Sequence, residues 1–150
     1  MKKILLCLLL ISGSLWAQKE NKQFNEKLAK SLNADKYGMR NYVFCLLKTG
    51  SNTEATSEEK AVIFKGHMAN IERLSKEGKL IVAGPFLGNS INYRGLFIFN
   101  VETVEEAQAL VNTDPAVKAK IFEAELTPWY GSAALQEIPH IHEQITTTKF

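Results

Sequence analysis

The chain has 150 residues, 45% of them apolar, 23% charged and 9% aromatic, an ordinary globular composition and a length that suits one domain. Its 18 basic residues oppose 16 acidic ones, and loss of Lys2 and Lys3 with a cleaved leader would leave 16 against 16. A neutral mature chain has no electrostatic reason to bind nucleic acid or an anionic membrane surface.

Residues 1–17 read as an export signal. Met1-Lys2-Lys3 supplies a positive end, Ile4 to Ile11 is an unbroken apolar run, and Ser12, Gly13 and Ser14 break it before a small residue, Ala17. The run falls short of the roughly 20 apolar residues that span a bilayer. A leader cleaved after Ala17 and a periplasmic or secreted mature chain are therefore expected, without stable membrane insertion. Cys7 leaves with the leader, so Cys45 is left without a disulfide partner. Inside an apolar run it reads as a buried, inert thiol.

Residues 18–40 are polar, with a weak helical pattern at Phe24, Leu28 and Leu32, and read as a partly helical lead-in. Tyr42 to Leu47 is the first strand. After a polar loop, helical spacing runs from Ser57 to Lys76, with Ser57 expected as the cap and Glu58 and Glu59 in the first turn. Ile63, Ile71 and Leu74 form its apolar stripe, flanked by Phe64 and Met68, and Gly78 ends it with a left-handed turn. Leu80 to Ala83 is a second strand, ending at Gly84-Pro85. The loop Phe86 to Asn92 leads to a third, Tyr93 to Val101. Thr103 and Glu106 form a capping box for a helix over Val104 to Val111. Asp114-Pro115 breaks it and opens a short turn, and Ile121 to Leu126 is the last strand, ending at Pro128. Residues 132–150 read as a polar tail with little periodicity. The domain itself is expected over 41–131.

The order β-α-β-β-α-β has one economical solution: an α+β, ferredoxin-like fold, with a four-stranded antiparallel sheet and both helices on one face. Its middle strands are apolar on both sides. Tyr42, Phe44 and Leu46 oppose Val43, Cys45 and Leu47, and Leu96 and Ile98 oppose Phe97 and Phe99. A sheet wet on one side would alternate with polar residues. Two helices cover one face, so a second copy of the chain is expected over the other, as a homodimer. The lead-in and the tail are the other candidates for that cover, and both are more polar.

The segments NYVFCLLKTG, KGHMANIERLSKEGKLIVAGPF and YRGLFIFNVETVEEAQALVNTDPAVKAKIFEAELTPWYGS, in this order and at these spacings, resemble the YCII-related family from about Met39 to Ser132. The resemblance implies a ferredoxin-like domain that dimerises through its sheet, the dimeric α+β barrel arrangement. It also implies a histidine and an aspartate suspected of catalysis, which fall at His67 and Asp114. The leader with its lead-in and the tail depart from the family's usual small domain.

His67 lies four residues from both Ile63 and Ile71, on the stripe that faces the sheet. A core histidine bonded to backbone or water is the structural alternative to a catalytic one. Topology brings Asn52 to Ser57, Phe86 to Asn92 and Asp114 to one end of the sheet, near the entry half of the first long helix. A pocket between His67 and Asp114 is expected there, with His67 as general acid and base and Asp114 orienting its ring. The local alternative for Asp114 is a turn cap.

Arg94 opens the third strand as a candidate for an anionic substrate, or as a solvated sheet end. Trp129 and Tyr130 read as aromatics at a dimer edge. His140 and His142 have the spacing of two metal ligands on an extended segment but no third partner, and no metal site is expected. Exposed aromatics of an RNA-binding sheet are excluded for Leu96 to Phe99 by the neutral charge and the leader.

Two functions follow: a small cofactor-independent enzyme of lyase or isomerase type acting on a small organic molecule, or a non-catalytic dimeric binding or structural module. A third reading, haem or oxygenase chemistry, needs a histidine open to a large cavity.

Overall fold

The computed structural model describes residues 21–148, and the leader expected at 1–17 lies outside them. A lead-in helix α1 (Glu26–Ser31) precedes β1 (Met39–Thr49), α2 (Ser57–Lys76), β2 (Leu80–Pro85), β3 (Tyr93–Phe99), α3 (Val104–Val111), the single turn α4 (Pro115–Lys118) and β4 (Phe122–Ser132). A 3-10 turn (Ala133–Glu137) and α5 (Ile138–Ile145) close the described chain. The strands form one four-stranded antiparallel sheet in the order β2-β3-β1-β4, the interleaved arrangement expected of two β-α-β units.

Local chemistry sets the helix limits. Thr56, not Ser57, caps α2: its side chain accepts the Glu59 N–H, and the Glu59 carboxylate accepts the Thr56 N–H. The threonine holds the position three residues before the glutamate that the reciprocal box requires. At the other end Gly78 adopts φ +67°, and the Gly78 and Lys79 amides donate to Ser75 and Leu74, the double bond of a helix stop. Thr103 and Glu106 repeat the box on α3. β4 continues through Pro128 to Ser132, beyond the end expected at Leu126. It is an edge strand, where a missing N–H costs no ladder bond.

Paired residues share a face. On the helix side Val43, Cys45, Leu47, Phe97 and Phe99 pack against Leu74, Leu80, Ala107 and Val111. The opposite side holds Tyr42, Ile81 and Ile98, and here the chain's own tail intervenes, with Leu135 packed on that cluster. The segment read as a polar tail is thus ordered, with Pro139 in the first turn of α5, where proline is tolerated. Its Ile138, Ile141 and Ile145 stand outward at helical spacing. The remainder of this face, Phe44 and Leu96, is half-buried, and Trp129 beside Tyr42 is exposed.

Lead-in and tail are joined. The Gln136 amide donates to Leu32 O at 2.7 Å, and its oxygen accepts Arg40 Nη1 at 2.9 Å. The Ala133 amide donates to Gly38 O, and the Tyr42 hydroxyl donates to Ser132 O. Tyr130 reaches back to Asp35, whose carboxyl is held below its usual range by that hydroxyl first and by the Met39 N–H next.

If the tail is part of the second core, Leu135→Ala should lower stability by about 1–2 kcal/mol, less than a fully buried leucine loses. Urea unfolding of the two proteins checks this, and equal midpoints would make the tail an appendage.

Candidate functional site

His67 sits at mid-helix on the sheet-facing side of α2 and is 8% exposed, and Asp114, 0% exposed, caps α4. Their side chains meet: His67 Nδ1 lies 2.7 Å from Asp114 Oδ2. The second carboxylate oxygen, Oδ1, accepts the Ala116 N–H at 2.8 Å. Asp114 is therefore both the turn cap and the partner of His67, and one carboxylate serves the two roles.

This contact fixes where protons can be. An ionised carboxylate only accepts hydrogen bonds, so Nδ1 carries the hydrogen and a neutral His67 has its lone pair on Nε2. Nε2 makes no hydrogen bond within the described chain, nor is it among the sealed-off atoms that lack a partner. Three phenyl rings surround the imidazole: Phe97 stacks on it at 6.0 Å, and Phe122 and Phe64 meet it edge-on at 5.5 and 6.2 Å. Phe64 is 38% exposed and forms the outer wall.

The sequence spacing explains the approach of α2 and α4. A Cβ on Gly66 would come within 2.9 Å of Pro115 Cγ, so glycine lets the two backbones close until Asp114 reaches the next residue of α2. One turn further on, Asn70, also buried, accepts at Oδ1 from Thr113 Oγ1 at 2.9 Å and from Arg73 Nη2 at 2.8 Å. Asn70 and Thr113 escaped the sequence reading. The signal was the three-residue spacing of His67 and Asn70, matched by the adjacency of Thr113 and Asp114.

His67 and Asp114 touch directly, so no space separates their side chains. An open depression of about 620 Å³ lies instead over the start of α2, between Asn52–Ala55 and Glu58, Glu59, Val62 and Ile63, and it stops one turn short of His67. Arg94 Nε donates to Thr49 Oγ1 at 2.6 Å. Thr49 pairs with Phe122, so Arg94 stands at the same end of the sheet but does not bond to His67 or Asp114. His140 and His142 lie on α5 rather than an extended segment, and two residues of separation on a helix turn their side chains to different sides. Among the described residues no group of three His, Cys, Asp or Glu side chains could hold a metal. Burial first, and the negative charge of Asp114 second, push the Cys45 thiol up to about 12, and it stays a protonated core residue.

Sheet order, helices on one face and a buried histidine held by a helix-capping aspartate define a ferredoxin-like α+β domain with a hydrogen-bonded His–Asp pair in its core. The chain belongs to the YCII-related domain family, whose model matches residues 42–130. Among solved structures it is similar to 5-chloro-2-hydroxyhydroquinone dehydrochlorinase from Burkholderia phenoliruptrix AC1100, in complex with 2,5-dihydroxybenzoquinone. Identity there is 22%, over 58% of this chain and 92% of that one, with a TM-score of 0.44. It is also similar to a dimeric protein of unknown function and ferredoxin-like fold from Bacteroides fragilis NCTC 9343, at 16% identity over 61% of this chain and 95% of that one, with a TM-score of 0.39. No curated protein matches the chain.

Gly66→Ala tests the close approach. On an open helix this change would stabilise by up to about 1 kcal/mol. Here it should destabilise by about 1–3 kcal/mol through overpacking against Pro115, read as a lower urea midpoint.

Proposed function

We propose that the chain is an exported, cofactor-independent enzyme that moves a proton on a small organic molecule, in lyase or isomerase chemistry. The observation that carries this reading is the divided Asp114 carboxylate: one oxygen is tied to the Ala116 N–H and the other to Nδ1, which leaves Nε2 as the free basic edge of His67. In this reading Nε2 accepts a proton from a C–H or O–H acid of the substrate. Asp114 then balances the imidazolium without moving, and Nε2 returns the proton to the product or to a leaving group. The phenyl wall, with Phe64 outermost, favours a substrate with a flat apolar body. Arg94, at the same end of the sheet, is the candidate for binding an anionic group on it, once released from Thr49.

Export rests on the charged, apolar and small-residue order of residues 1–17. A homodimer through the second sheet face is supported by the half-buried Phe44 and Leu96, the exposed Trp129 and the exposed Ile138, Ile141 and Ile145, apolar surface that a second copy could cover. Haem ligation suits the residues poorly. A porphyrin needs a far broader approach to Nε2 than a small substrate, and three phenyl rings crowd the imidazole. The second reading, a non-catalytic dimeric binding or structural module, draws on the same carboxylate, since capping α4 and anchoring α2 are structural tasks that need no turnover.

His67→Gln should lower turnover of an identified substrate by about 10²–10⁴-fold, the usual worth of a general base, while leaving substrate binding in place. Unchanged turnover would discard the enzyme and leave the binding module. The protein recovered from its native host should begin at Gln18 by mass and sediment as a dimer at micromolar concentration. An intact N-terminus removes the leader, and a monomer removes the dimer.

A further inference from the structure

We infer that Asn70 and Thr113 are positioning residues that hold Asp114 at the height on α2 where its carboxylate meets Nδ1 of His67, an inference that deepens the acid-base reading above and rests on it. α4 is a single turn of four residues, and a helix that short does not hold its own place. The Ala116 N–H fixes the Asp114 carboxylate relative to α4, but it does not fix α4 relative to α2. Three contacts in register do so. Gly66 lies against Pro115, His67 against Asp114, and Asn70 against Thr113, so successive residues of one strand of chain meet the same side of α2.

The third contact is polar and lies at the edge of the core, between buried Asn70 and exposed Thr113. Asn70 is 8% exposed on the core side of α2, and burying an amide there costs free energy unless it is bonded. Its Oδ1 is bonded twice, by the Thr113 hydroxyl and by Arg73 Nη2, and the same nitrogen of Arg73 also donates to Thr113 Oγ1 at 3.0 Å. The Thr113 hydroxyl has one hydrogen to give, shared between Asn70 Oδ1 and Leu110 O, which lies 2.7 Å away at the end of α3, while its oxygen accepts from Arg73 of α2. The residue before Asp114 is thereby held to α2 and α3 together. A hydrogen bond has a narrow range of useful distance and angle, so even a small slide of the Asp114 turn along α2 would break the contact with Nδ1.

The tautomer of His67 reads this directly, without a substrate. In the full-length ¹⁵N-labelled protein, above the pH at which the ring is protonated, Nδ1 of His67 should give a protonated, pyrrole-type signal and Nε2 an unprotonated, pyridine-type one. The signals of His140 and His142 are separated by comparison with His67→Gln. Thr113→Val and Asn70→Ala should each lose this single-tautomer pattern and give averaged shifts at both nitrogens, while Thr113→Ser, which keeps the hydroxyl, should retain it. Asp114→Asn has one amide oxygen to serve both Ala116 and Nδ1, and should move the hydrogen to Nε2. Variants that melt cooperatively but keep the wild-type pattern at Thr113→Val and Asn70→Ala would overturn the positioning role and leave the dyad standing. A wild-type pattern in Asp114→Asn would overturn the dyad itself. Should Asn70→Ala fail to fold, the Thr113→Val and Thr113→Ser pair decides alone.

Discussion

The structure turns on one buried carboxylate. Asp114 is fully sealed from solvent, and a charge in that position is tolerable only when its oxygens are occupied. The Ala116 N–H takes one and the His67 ring takes the other. This arrangement starts α4, anchors it to α2 and sets the hydrogen on Nδ1. Function and architecture share these bonds, so a substitution at either residue touches both.

A second constraint comes from the sheet. β1 and β3 are apolar on both sides, and α2 and α3 cover only one. The tail supplies part of the missing cover through Leu135, over Tyr42, Ile81 and Ile98. It ends as a helix whose isoleucines are exposed, while Phe44 and Leu96 on the sheet stay half-buried and Trp129 exposed. The tail thus moves the apolar surface outward rather than removing it.

Much of the fold is legible in the residues. The two-sided apolar strand Tyr42–Leu47, the capping box at Thr103–Glu106 and the stop at Gly78 are short-range signals that act within a few residues of where they are written, whereas the cap of α2 reads one residue late, at Ser57 rather than Thr56. Pro128 and Pro139 mislead because proline's effect depends on context. At an edge strand and in a first helical turn the missing N–H costs nothing, and neither context is visible locally. The spacing of Ile138, Ile141 and Ile145 was present but diluted by polar neighbours. At the site, the stripe position of His67 and the turn chemistry of Asp114 could be read, and family resemblance paired them. Asn70 and Thr113 could not be found that way, because a lone polar residue on a stripe has no meaning until its partner, 43 residues away, is known.

The bonds of Gln136 to Leu32 and Arg40 make the two extensions one clasp at a single corner of the sheet. A protease that nicks one extension loosens the other as well.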